Sequence, residues 1–109
     1  MIRTVNLSLN KGTDFLKRFE VLDENLDPVD ISGSVFVSKI RKNFDSRKFY
    51  SLGTTISGTE TGVFYLTMNS VDSLYIPQGN YVYDVLVINN NNKTKLYEGI
   101  VYIQDTASR

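Results

Sequence analysis

Apolar and polar residues alternate with a period of two along most of this chain, the spacing of strands that bury one face. Val5, Leu7 and Leu9 alternate with Asn6 and Ser8 and predict a first strand, closed by a turn at Asn10-Lys11-Gly12. Residues 13–22 follow, with Phe15, Phe19 and Val21 set among charged residues, and the less regular stretch 16–19 predicts a bulge. Residues 23–30 read as a loop, because Asn25 and Pro28 suit neither regular element. In residues 34–42, Val35 and Val37 alternate with Phe36, Ser38 and Ile40, which predicts a central strand apolar on both faces at its start. Residues 49–56 and 63–68 predict two more strands, and Ser70 is placed to cap a single helical turn over 70–75 that crosses between sheets. Residues 81–88 and 95–104 predict a final hairpin around a run of asparagines, and the polar end from Asp105 to Arg109 is expected to fray.

About seven strands separated by turn signals predict an all-β fold, a single antiparallel β-sandwich of immunoglobulin-like type occupying residues 1–109 as one domain. A chain of 109 residues with 41% hydrophobic and 22% charged residues has an ordinary globular composition. At this size a domain buries roughly 60–70% of the surface its unfolded chain exposes, enough for one core. Twelve basic and twelve acidic residues cancel, so the chain as a whole exerts no pull on nucleic acid or anionic membrane. The absence of cysteine and histidine removes disulfides, thiolate nucleophiles, the commonest general base and the commonest transition-metal ligand. No cofactor or catalytic residue is expected. The first ten residues alternate and lack the apolar run of a signal peptide, and no stretch reaches the roughly 20 apolar residues of a membrane span. The expectation is a protein made and assembled in a cytoplasm.

Five constellations carry possible chemistry or contacts. Asp23, Asn25 and Asp27 alternate like the first ligands of a calcium loop, but Pro28 stands where glycine is needed and Ser34 where the closing glutamate belongs, which favours a solvated turn. Lys39, Arg41, Lys42, Arg47 and Lys48 interleave with Phe44, Phe49 and Tyr50 in the manner of a nucleic-acid surface; in a neutral all-β domain such residues serve rather as edge-strand charges that deter aggregation. Asp84 and Glu98 are placed to approach each other across the final hairpin, but the sequence marks no substrate cleft that acid–base work would need. Asp84 sits between Tyr83 and Val85, where a charge is costly unless paired, and Arg41 ends the central strand. An Arg41–Asp84 bridge would compensate the buried carboxylate, in which case Asp84→Ala would cost about 3–5 kcal/mol. Seven tyrosines and six phenylalanines exceed the needs of a small core, so Tyr50, Tyr75, Tyr81, Tyr97 and Tyr102 are candidates for an interface.

The blocks Lys11-Gly12-Thr13-Asp14-Phe15, Pro28-Val29-Asp30-Ile31-Ser32-Gly33, Ile40-Arg41-Lys42, residues 62–66, Pro77-Gln78-Gly79-Asn80-Tyr81-Val82-Tyr83-Asp84-Val85 and Glu98-Gly99-Ile100-Val101 together span nearly the whole chain. In order and spacing they resemble small virion proteins of tailed bacteriophages, including β-sandwich modules of T4-like marine phages and the N-terminal domain of siphophage upper baseplate proteins. The resemblance implies an immunoglobulin-like sandwich and a non-enzymatic structural role in tail, baseplate, neck or capsid decoration. Its partners would be other virion proteins or further copies of the chain, with no nucleic acid and no membrane. It carries over no catalytic residues. The second expectation from the residues is a host-surface or carbohydrate-binding module in which exposed tyrosines stack on sugar rings.

Overall fold

A computed structural model describes residues 2–108; Met1 and Arg109, the two ends of the expected domain, lie outside the described residues. Eight strands and one short helix follow in the order β1 (Arg3–Thr4), β2 (Leu7–Asn10), β3 (Phe15–Glu20), β4 (Val35–Arg41), β5 (Phe49–Ile56), β6 (Val63–Met68), α1 (Ser70–Leu74), β7 (Gly79–Asn89) and β8 (Asn92–Gln104). The fold is all-β, and hydrogen-bonded neighbours run β1-β8-β7-β4-β5-β6-β3 with β2 also on β8, the relative order of immunoglobulin-type strands.

The two layers are not separate sheets, because β5 belongs to both. Its first half pairs with β4 up to Leu52 opposite Ser38, and its second half pairs with β6 from Gly53 opposite Thr67. The switch falls at a glycine for a steric reason: a Cβ on Gly53 would stand 2.6 Å from the Thr67 hydroxyl oxygen. The sheet thus curls over, and inward rings from its two halves meet. Phe64 of β6 stacks on Phe36 of β4 at 4.4 Å and on Phe19 of β3 at 5.3 Å, while Tyr97 of β8 meets Phe19 edge-on at 4.8 Å. Leu9, Ile40, Leu66, Ile76, Val85 and Val101 close the core around them.

Pairing is antiparallel except at the first two strands, which run parallel to β8. Between them the chain kinks at Val5 and Asn6, and the kink lies against Gly99. A Cβ there would approach the Val5 carbonyl oxygen to 2.2 Å, so only glycine lets the strands touch. The Asn6 carboxamide takes over the missing ladder bond by accepting the Ile100 N–H, and the Tyr83 hydroxyl donates to the Val5 carbonyl.

The remaining departures from the expected pattern have local causes. β3 pairs with β6 in unbroken register, whereas the bulge lies in the final hairpin, between Val85 and Leu86. Asn90 and Asn91 both adopt positive φ, as a two-residue hairpin turn with the twist of its strands requires. The helix is capped by Asn69, whose side chain accepts the Asp72 N–H, and not by Ser70. Ser73, fully buried, accepts the Gly12 N–H and donates to the Thr13 carbonyl, tying the crossover to the β2–β3 turn. On the outer strand β3, Arg18 is paired with Glu20 and Glu60, so the free edge carries charge.

Two outcomes test this account. Gly99→Ala should destabilise the protein by about 1–3 kcal/mol in urea unfolding, as overpacking against backbone does. Burial raises the Tyr83 phenol pKa above its ordinary value, so the neutral form is the folded one. The stability this gives is fully present below the ordinary tyrosine pKa of about 10 and is lost as pH rises through the folded value. Tyr83→Phe should cost about 1 kcal/mol at neutral pH and flatten the alkaline decline in melting temperature.

Candidate functional site

Alternation along each strand decides what faces outward. On β7, Tyr81, Tyr83 and Val85 point into the core, which sends Asn80, Val82, Asp84 and Leu86 to the other side. On β8 the buried Tyr97, Val101 and Ile103 leave Glu98, Ile100 and Tyr102 outward. The register then aligns these residues in rows across the sheet. One row runs Phe49, Arg41, Val82, Ile100 over β5, β4, β7 and β8; the next runs Ser51, Lys39, Asp84, Glu98. Phe49 is 43% exposed, Ile100 39% and Tyr102 38%, so large apolar groups stand in solvent on this face.

The charges on the face engage one another and the rings. The Lys95 ammonium lies 3.1 Å from Glu98 and 3.9 Å from Asp84, bridging two carboxylates that stand directly opposite across the hairpin. The lysine screens a like-charge pair that would otherwise repel across the hairpin. Lys39 sits 4.1 Å over the Phe49 ring with the Arg41 guanidinium at 5.1 Å, and Lys95 lies 5.2 Å from the Phe44 ring. Lys42 covers Tyr81 at 4.8 Å and Lys48 covers Tyr50 at 5.5 Å. Cations that were candidates for phosphate contacts thus occupy the ring faces on which bases would stack.

The expected Arg41–Asp84 bridge is not formed. Arg41 stands opposite Val82, one row from Asp84, and its guanidinium donates to the carbonyls of Ser46 and Arg47, holding the β4–β5 turn. Asp84 stands opposite Lys39 on one side and Glu98 on the other, with 28% of its side chain exposed. The expectation failed because aromatic sequence neighbours are not spatial neighbours in a strand. Tyr83 and Val85 point away from Asp84 into the core, and the carboxylate never needed a buried partner.

The five candidate interface tyrosines divide. Tyr81 and Tyr97 are buried and are corrected to core residues: Tyr97 donates to the Glu20 carbonyl across the layers, and Tyr81 donates to the Pro77 carbonyl at 2.7 Å. The latter, at the start of β7 and reaching four residues back, is the tyrosine corner of immunoglobulin-type sandwiches. The spacing from Pro77 to Tyr81 was its available signal. Tyr50 is half-buried edge-on to Tyr81, while Tyr102 and the 71% exposed Tyr75 remain on the surface. The local pattern gave Phe44 and Phe49 to a different surface and did not single out Ile100 and Lys95; apolar groups at the outward positions of β8 carried the signal.

Elsewhere the loops satisfy themselves. The Asp23 carboxylate accepts the N–H groups of Asn25 and Asp27, which closes a hydrogen-bonded turn. Hydrogen bonds from Ser32 hold the Asp30 carboxyl below the usual carboxylate range. A hollow of about 340 Å³ opens between the layers, walled by Val21, Val29, Val87 and Leu96 and rimmed by Asp30, Asn89 and Asn92. Among the described residues no cluster of three or more acidic side chains is placed to hold a metal ion.

No protein-family model matches the chain, and no curated protein matches it in sequence. Among solved structures it is similar to part of InlP from Listeria monocytogenes, with a TM-score of 0.53 and 13% identity over 94% of this chain and 27% of that one. The chain spans about a quarter of the length of InlP, and the likeness is one of fold. A structure from a study of multimeric cell-adhesive interactions of VGSC beta subunits matches 94% of this chain and 92% of that one at 12% identity, with a TM-score of 0.43, too slight to argue from.

The corrected position of Asp84 has a measurable consequence. Asp84→Asn should change stability by less than about 1 kcal/mol in chemical denaturation, as for an exposed ion pair, and not by the several kcal/mol of a buried one.

Proposed function

We propose that this chain is a non-enzymatic structural module that works through protein–protein contacts made by the outer face of β4, β5, β7 and β8. Its setting is the virion of a tailed phage, in tail, baseplate, neck or capsid decoration, where it assembles after synthesis in the host cytoplasm. The observation that carries the reading is the make-up of that face: Phe49, Val82, Ile100 and Tyr102 stand outward beside a row of paired charges. Aromatic and apolar residues within a polar surround are what a protein interface needs, because they bury area at low entropy cost while the charges set register.

Two further points support it. The carboxylates on the face are engaged with Lys95 and its rings with Lys39, Arg41 and Lys95, and the hollow beside Asp84 is small, about 60 Å³. The virion setting is supported by the succession of sequence blocks from Lys11 to Val101. A carbohydrate-binding role would rest on exposed tyrosines, yet Tyr75 and Tyr102 lie on separate elements, the C-cap of α1 and β8, and neither lines the hollow between the layers.

Mass spectrometry of purified particles tests the setting. The chain should appear at a fixed copy number that survives high-salt washing. Its absence from particles made by cells that express it would remove the virion from the proposal.

A further inference from the structure

We infer that the outer face is the interface of a two-fold dimer, in which a second copy of this chain sits face to face on the first and Lys39 of each copy lies over Asp84 of the other. The inference rests on the reading of that face as a protein-docking surface, and it names the partner.

The charge pattern suits a second copy and disfavours most axes, and one axis adds an attractive pair. Across the face the middle row reads Ser51, Lys39, Asp84, Glu98, and the row beside it reads Phe49, Arg41, Val82, Ile100, on β5, β4, β7 and β8 in that order. Two copies packed face to face are related by an axis lying in the interface. An axis at right angles to the strands through the middle row would stack Lys39 on Lys39, and through the other row Arg41 on Arg41. An axis along β4 again stacks Lys39 on itself, one along β7 stacks Asp84 on Asp84, and one between β7 and β8 stacks Asp84 on Glu98. Like charges in direct opposition are destabilising. An axis parallel to the strands between β4 and β7 avoids all of these. It sets Lys39 over Asp84, Phe49 over Ile100, Arg41 over Val82 and Ser51 over Glu98, each twice by symmetry.

Phe44, 54% exposed, also stands on this face near Lys39, Val82 and Asp84, so its ring and that of the second copy meet beside the axis. Lys95 stays with its own Glu98 and Asp84, so the carboxylate that receives the second copy's Lys39 already has its like-charge neighbour screened. Aligned sheets pack about 10 Å apart and within about 30° of each other, so rows close to the axis keep their opposition. The face is that of a small interface: four strands at about 4.8 Å spacing and about seven residues at 3.3 Å rise make roughly 19 by 23 Å. With side-chain relief this is on the order of 600 Å² of accessible surface from each partner, the lower end of the range of specific interfaces.

Sedimentation equilibrium and light scattering on the purified chain read the outcome. The unaltered protein should be a dimer in the micromolar range. Lys39→Asp and Asp84→Lys, each placing like charges across the axis, should each raise the dimer dissociation constant by about tenfold or more. An equimolar mixture of the two variants should recover a one-to-one heterodimer, because each of the two symmetric contacts then joins an acid of one variant to a lysine of the other. A charge pair acting only within one chain cannot produce that recovery. Circular dichroism checks that each variant is folded, and Ile100→Arg, at an exposed position, should also yield monomer if either charge reversal fails to fold. A monomer at several hundred micromolar, dimers that persist through the reversals and Ile100→Arg, or a mixture that stays monomeric would overturn the inference. A monomer that is nonetheless found at fixed copy number in particles would reject the second copy as partner and leave the structural-module reading standing.

Discussion

Phe64 is the point on which the two halves of the molecule agree. It is fully buried, and its ring contacts one from β3, one from β4 and one from β8. A single curled sheet has no intrinsic reason to close, since its backbone bonds are satisfied along the curl as well as in a flat arrangement. Closure comes from the apolar area buried and the rings stacked when inward side chains of the two halves meet. The bend at Gly53, the crossover through α1 and the approach of β1 and β2 to β8 all follow from bringing that stack together.

Filling the interior with tyrosine as well as phenylalanine sets a second condition. A buried phenol needs a hydrogen-bond acceptor, and Tyr81, Tyr83 and Tyr97 find theirs in the main-chain carbonyls of Pro77, Val5 and Glu20. Each of these bonds fastens a loop or a strand end to the core. These three tyrosines act as rivets of the core, while the opposite side of the same strands carries a different set of residues.

The strands were legible because a period of two survives in nearly every segment, and the turns because glycine, proline and asparagine mark them. Side-chain partnerships were not, and Asp84 shows why. Its row is set by register with β4 and β8, at sequence distances that local pattern does not reach, and a one-residue difference in pairing would have exchanged Lys39 for another neighbour. The same limit applies to the tyrosines: alternation says that Tyr81 and Tyr83 share a face, and only the closed core says that this face is the inner one. The parallel docking of β1 and β2 had no local signature at all, apart from a glycine at 99 whose purpose lies in Val5.

That parallel docking orders events in time. The strand Leu7–Asn10 has no hydrogen-bonded neighbour other than β8 among the described strands, and Asn6 bonds to a residue 94 positions further on. During synthesis the alternating leucines of this strand emerge well before the surface that will cover them exists. They must remain uncommitted, or be shielded by a chaperone, until the final hairpin has left the ribosome. A chain built in this order can pair its first leucine strand only after β8 has been made.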